Sequence, residues 1–251
     1  SGTLTLTGGN NIWSGGTLAD GGTLSVGAGA TLSLNGGSKF LGSRTINNAG
    51  TILWNSGDIL QVGDGTINNS GLFDIRANAV FTSSDNTVTR LTNFVNTASG
   101  ELRRSTGTGV AYLGDVYAYY DGYVNLSNSG LVNVQSGTLR LLGSNAATES
   151  SGEFRTTSTA GSTPTLLLSG GNVTLQSGAT ITGVSSDSSP ATGITQLAGA
   201  TLTISGPATA SSLEIQTGGT LNGSGTLTLT GGNNIWSGGT LADGGTLSVP
   251  A

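Results

Sequence analysis

The sequence predicts an all-β chain wound as a single-stranded parallel β-helix, and three observations carry that reading. Glycine fills 44 of the 251 positions, while Glu, Gln, Lys and Met together fill ten, so long helices have little to build from. Leu, Val, Ile and Thr recur between Gly, Ser, Asn and Asp, the vocabulary of short strands broken by tight bends. A unit of about 20 residues repeats. "GATI" at 178–181 is followed by "GATL" at 199–202 and by "GGTL" at 218–221 and 238–241, and "TINNAG" at 45–50 returns as "TINNSG" at 66–71.

Each unit reads as one rung of a coil. Runs such as Thr3-Leu4-Thr5-Leu6-Thr7 and Thr201-Leu202-Thr203-Ile204 alternate, which turns Leu and Ile to one face and Thr to the other. A leucine-rich horseshoe would need a fixed Asn and a helix-forming half, both missing here. In a β-helix every rung stacks its inward aliphatic side chains on the next, and one rung alone cannot repay the entropy of ordering its backbone. The expectation is about 11–12 rungs of 19–22 residues, right-handed by analogy, forming one continuous solenoid over residues 1–251. The pairs Asn47-Asn48 and Asn68-Asn69 are expected at corners, where Asn tolerates left-handed backbone and its amide can bond an equivalent amide one rung away.

The strongest internal repeat is longer. "SGTLTLTGGNNIWSGGTLADGGTLSV" at residues 1–26 recurs unchanged at 224–249. Outward substitutions change stability by less than about 0.5 kcal/mol, so folding alone does not preserve 26 identical letters. The identity records copying: either a longer parent holds tandem copies of a 223-residue unit, residues 1–223 being one and 224–251 the start of the next, or the chain was assembled that way. Pro250 then replaces Gly27 where the copies diverge.

These same residues, a Gly-Thr-Leu-Thr-Leu strand, a Gly/Asn turn, an aromatic at Trp13 or Trp236 and a Gly-rich step into a second Thr-Leu strand, resemble the passenger-associated β-strand repeat of bacterial autotransporters. Residues 27–223 resemble more loosely the strand arrays of giant bacterial surface proteins, through "GATLSLNGG" and "NSGLVNVQSGTLRLLG". The resemblance implies a secreted or surface-displayed β-solenoid, a stalk, adhesin or biofilm-matrix fibre, and no catalytic residue. It departs from an autotransporter in showing no membrane barrel and no signal sequence.

Composition narrows the function classes. Charged residues make up 8% of the chain and the net charge is −5, with no basic track for a phosphate backbone, so nucleic acid is not an expected partner. No apolar run reaches the ~20 residues of a membrane span. Cysteine is absent, which removes disulfides and thiolate metal sites. Pectin-degrading enzymes share the coil, but their sites need clustered carboxylates with basic residues, a bound Ca²⁺ or a His. This chain has no His and one lysine, Lys39. Glu149, Glu153 and Arg155 are the nearest approach to a carboxylate site, and Asp115 and Asp121 to a metal site, without the dense Asp/Gly pattern of calcium repeats. Neither an enzyme nor a cofactor is expected. Outward Thr rows resemble ice-binding faces, but Ser33, Asn35, Arg140 and Glu214 interrupt them.

All five tyrosines, Tyr112, Tyr117, Tyr119, Tyr120 and Tyr123, fall within "YLGDVYAYYDGY", where the 20-residue rhythm is weakest. They read as a lateral loop covering an edge of the stack, or as a polysaccharide-binding site, since Tyr offers a flat apolar face with a hydroxyl. The expected partners are neighbouring copies of the same repeat, end to end, because a cut stack leaves unpaired strand edges, and surface glycans.

Overall fold

The computed structural model describes residues 2–19, 21–84, 90–117, 120–142, 148–242 and 244–250, with backbone alone at 115–117, 120–122 and 148. Every element among them is a strand, and each circuit of the chain visits three faces in the same order. The first sheet runs from Thr3–Leu6 to Thr240–Leu241, the second from Asn10–Trp13 to Thr246–Ser248, and the third from Gly16–Leu18 to Ile235–Trp236. Neighbouring strands of successive rungs pair in parallel, the arrangement of a three-faced β-helix, with ten full rungs and two strands of an eleventh among the described residues.

Alternation sets which side chains enter the coil, and register stacks them. Leu24, Ile46, Ile67, Phe94 and Leu126 form one inward file on the first sheet. Leu32, Ile52, Phe73, Leu102, Val132, Phe154 and Ile181 form another on the second, and Leu113, Leu141, Leu168, Leu197 and Ile215 one on the third. The middle rungs take aromatic rings, with Phe73 edge-on to Phe94 at 5.2 Å. Inward packing between rungs is where the chain buries its apolar surface.

Along the first sheet, successive rungs lie 20, 22, 21, 27, 32, 22, 25, 29, 19 and 20 residues apart. The spacing of 19–22 expected from the repeats describes six of these ten steps. The other four carry insertions at corners, where extra chain leaves the ladders intact.

The corner between the first and second sheets is a file of asparagines. Asn48 Nδ2 donates to Asn69 Oδ1 at 2.7 Å, Asn69 Nδ2 to Asn96 Oδ1 at 2.8 Å, and Asn96 Nδ2 to Asn128 Oδ1 at 2.8 Å. Each amide also donates to a backbone carbonyl of the rung above, from Leu72 to Glu153. Outside this file, Asn68 Nδ2 donates to Asn47 Oδ1 at 2.9 Å. The amide ladder expected from sequence is therefore present, but its left-handed backbone is not: among the described residues every positive φ belongs to glycine, and these asparagines sit in strands. What the corner demands instead is a glycine just beyond. A Cβ on Gly71 would stand 2.2 Å from the carbonyl oxygen of Gly50, and one on Gly152 2.2 Å from that of Gly130.

The corner between the second and third sheets is tied by long inward donors. Trp54 Nε1 donates to Gly57 O at 2.6 Å, and Lys39 Nζ to Gly37 O and Ser56 O. Arg104 donates to Ala77 O, Asn78 Oδ1 and Gly109 O. Lys39 and Arg104 are 0% exposed, so these carbonyls replace water for both cations. Burial pulls the Lys39 ammonium below its ordinary range against the opposing pull of Asp58, and pulls the Arg104 guanidinium down to about 10.

The duplicated segment repeats its strands but not its faces. Thr3–Leu6 lies on the first sheet, whereas its copy Thr226–Leu229 lies on the second and rests on Ala208–Ala210. The two copies share no pairing. Their tryptophans differ in surroundings, contrary to the likeness their sequence suggests: Trp13 is half-buried in register with Leu34, while Trp236 is 63% exposed at the other end of the stack.

Candidate functional site

Insertions on three successive rungs gather at the corner between the third and first sheets. Elsewhere that corner takes three or four residues, as between Leu41 and Thr45 or Gln61 and Thr66. It takes six between Ser83 and Arg90, a full hairpin between Leu113 and Leu126, and six between Leu141 and Thr148. The tyrosine segment is the middle one.

Its backbone is an antiparallel hairpin. Asp115 pairs with Gly122, Val116 with Asp121 and Tyr117 with Tyr120, and the outgoing strand continues into the first sheet. This is the lateral element expected for the segment, with Asp115 and Asp121 flanking its turn. Tyr119 lies outside the described residues, as do the side chains of Tyr117, Tyr120, Asp115 and Asp121. Tyr112 and Tyr123 belong to different elements. Tyr112 stands half-buried on the third sheet, with the Arg140 guanidinium 5.6 Å from its ring centroid and Arg140 Nε bonded to Ser169 Oγ. Tyr123 is half-buried on the first sheet, and its carbonyl accepts a bond from the buried Gln61 Nε2 two rungs below.

Charged groups collect on the outward face of the second sheet instead, where Asp74 and Arg103 are register partners. Asp74 Oδ2 accepts from Arg76, Arg103 and Ser105 at 2.9–3.1 Å. Burial pushes this carboxyl up, but those three donors outweigh it and hold it below the usual carboxylate range. Further along, Arg155 donates twice to Glu153, which also accepts from Thr182; burial opposes these donors, and the net shift is again downward. Glu149 lies on the first sheet, bonded to Gln176, so Glu149 and Glu153 do not form a facing pair. A shallow groove of about 440 Å³ runs past Gly100, Gly130 and Gly152 with Glu101 and Glu153 on its wall. Both carboxylates are already occupied, Glu101 by Asn133 and Arg103.

A second pair of insertions meets at the corner after Ser158 and Ser185. Asp187 accepts from the backbone N–H groups of Ala160 and Ser189 and from Ser185 Oγ, which holds its carboxyl down at about 2. Thr192 Oγ1 donates to Ser162 O at 2.5 Å. The arrangement ties loop to loop. Among the described residues no group of three or more His, Cys, Asp or Glu could hold a metal ion, and no helix is long and apolar enough to cross a membrane.

The chain carries an autotransporter passenger repeat at two places: the passenger-associated-transport-repeat family matches residues 1–26 and 220–249. No curated protein and no solved structure matches the chain. The repeat marks a structural extracellular module of a secreted or surface-exposed protein.

Sequence reasoning missed the two interior cations, because charge alone places Lys39 and Arg104 outside. Their signal was phase: each occupies a position where its strand should turn a residue inward, in register with Ile59 and Ile75 respectively.

Proposed function

We propose that this chain is a non-catalytic length of a long extracellular bacterial fibre, a stalk, adhesin or matrix element, in which neighbouring copies of the same unit follow end to end. One observation carries the reading: the passenger repeats at both places are strands of the same solenoid, continuous with the rungs between them. A rod gains reach with each rung, about 4.8 Å apiece, and needs no reactive group to do so. The test is replacement, in the parent protein, of residues 27–223 by an unrelated β-helix of equal rung number. Unchanged surface display and reach supports a spacer; loss of attachment with display intact assigns adhesion to this unit; loss of neither reach nor attachment on deleting the unit outright would overturn the reading.

The hairpin favours a second reading, polysaccharide binding, since Tyr117 and Tyr120 are partners in the backbone register of an element added at the side of the coil. A glycan array comparing the wild type with a Tyr117→Ala, Tyr119→Ala, Tyr120→Ala variant decides it. Binding lost in the variant supports the site, and equal profiles remove it.

A further inference from the structure

The two copies of the 26-residue segment occupy different faces of one rod. In the first, Thr3–Leu6, Asn10–Trp13, Gly16–Leu18 and Thr23–Val26 fall on the first, second, third and first sheets. In the second, Thr226–Leu229, Ile235–Trp236, Thr240–Leu241 and Thr246–Ser248 fall on the second, third, first and second. The coil between them has made nine rungs and one further face.

Nothing in the segment ties it to a face. Its strands set Leu, Ile, Val or Trp between small polar residues, and two of its glycine corners keep the same left-handed conformation in both copies, Gly9 (φ 68°) with Gly232 (78°) and Gly16 (83°) with Gly239 (77°), while the third adapts, Gly21 (74°) becoming Gly244 (121°). The residues between are face-specific. The asparagine file holds the first corner, Lys39, Trp54 and Arg104 the second, and the long insertions after Ser83, Leu113 and Leu141 the third.

We propose that the duplicated segment is a face-neutral join, and that each 223-residue unit following another is turned by one third of the coil against its predecessor. The tyrosine hairpin then falls at each of the three corners in turn and returns to its own after three units, rising about 45 Å per unit. This rests on the reading of the parent as tandem copies. Its physical basis is that a stack with equal strand spacing on all faces accepts a rung in any of three phases, provided that rung's corners are glycine rather than ladder residues.

The test begins with this chain, which has no cysteine of its own. Thr209 and Thr228 are outward register partners on the second sheet, so T209C with T228C forms a disulfide under mild oxidation. N222C with T228C, on different sheets, does not. The reverse result overturns the proposal. A chain extended after Val249 by a second copy of residues 27–223, carrying a biotin at Asn93 of each unit, then gives streptavidin densities on different sides of the rod by electron microscopy. Densities on one line overturn the rotation. A parent gene with a single unit would remove the tandem reading while leaving the cross-linking result standing.

Discussion

Asn69 and Asn96 are 27 residues apart in sequence, and the side-chain amide of one donates to that of the other at 2.8 Å with both fully buried. Asn69 Nδ2 also reaches the Glu101 carbonyl, so a single side chain satisfies groups on the rung above while its own Oδ1 receives Asn48 from below.

Removing that link should therefore cost more than one hydrogen bond. Asn69→Ala leaves Asn96 Oδ1 and the Glu101 carbonyl without this donor in a dry corner, an expected loss of about 2–4 kcal/mol. Asn68→Ala removes only the outer, exposed bond to Asn47 and should cost under about 1 kcal/mol. Denaturant midpoints of the two variants check the difference.

Leu202 is 0% exposed in register with Val173 and Leu221, while Thr201 beside it faces outward. Leu202→Asp should bury an unpaired charge at several kcal/mol, against a small change for Thr201→Asp. Equal melting temperatures would mean that the faces are wrongly assigned.

The close approach of rungs behind the asparagine corner makes a third contrast. Gly71→Ala drives a methyl to 2.2 Å from the Gly50 carbonyl oxygen, whereas a Cβ at Gly8 meets nothing within 4 Å. The first substitution should destabilise by about 1–3 kcal/mol or more, and the second should leave thermal unfolding nearly unchanged.

Asp187 gives a pH signature. Its folded value of about 2 lies below the ordinary 3.8, so the bonds to Ala160 and Ser189 are fully in place above about pH 4 and are lost as pH falls toward 2. Protection of the Ala160 and Ser189 amides, measured against their intrinsic exchange rates, should fall across that window in the wild type. In Asp187→Ala it should be low throughout, with no step.

The coil was legible because its rules are local. Alternation in Thr201–Ile204 fixes the inward face, and Asn47-Asn48 above Asn68-Asn69 announces a corner ladder at one rung's distance. The one-face offset of the duplicated segment was not legible, because it depends on the strand count of everything between, including insertions that break the 20-residue rhythm after Ser83 and Leu113. Nor was the interior position of Arg104, whose carbonyl partners at Ala77 and Gly109 come together only when the rungs stack. The tyrosines were read as one group, but Tyr112 belongs to the third sheet and Tyr123 to the first, because the chain turns the corner between them.

Unequal rungs also set how such a rod yields to force. Under tension along its axis, a coil peels from an end one circuit at a time, and each circuit releases its own residue count as slack. At roughly 3.4 Å per extended residue, the 19-residue step from Thr201 to Thr220 frees about 65 Å, and the 32-residue step from Asn93 to Asn125 about 110 Å. The 32-residue circuit that holds the hairpin is thus stored contour length, released only after every circuit on one side of it has given way.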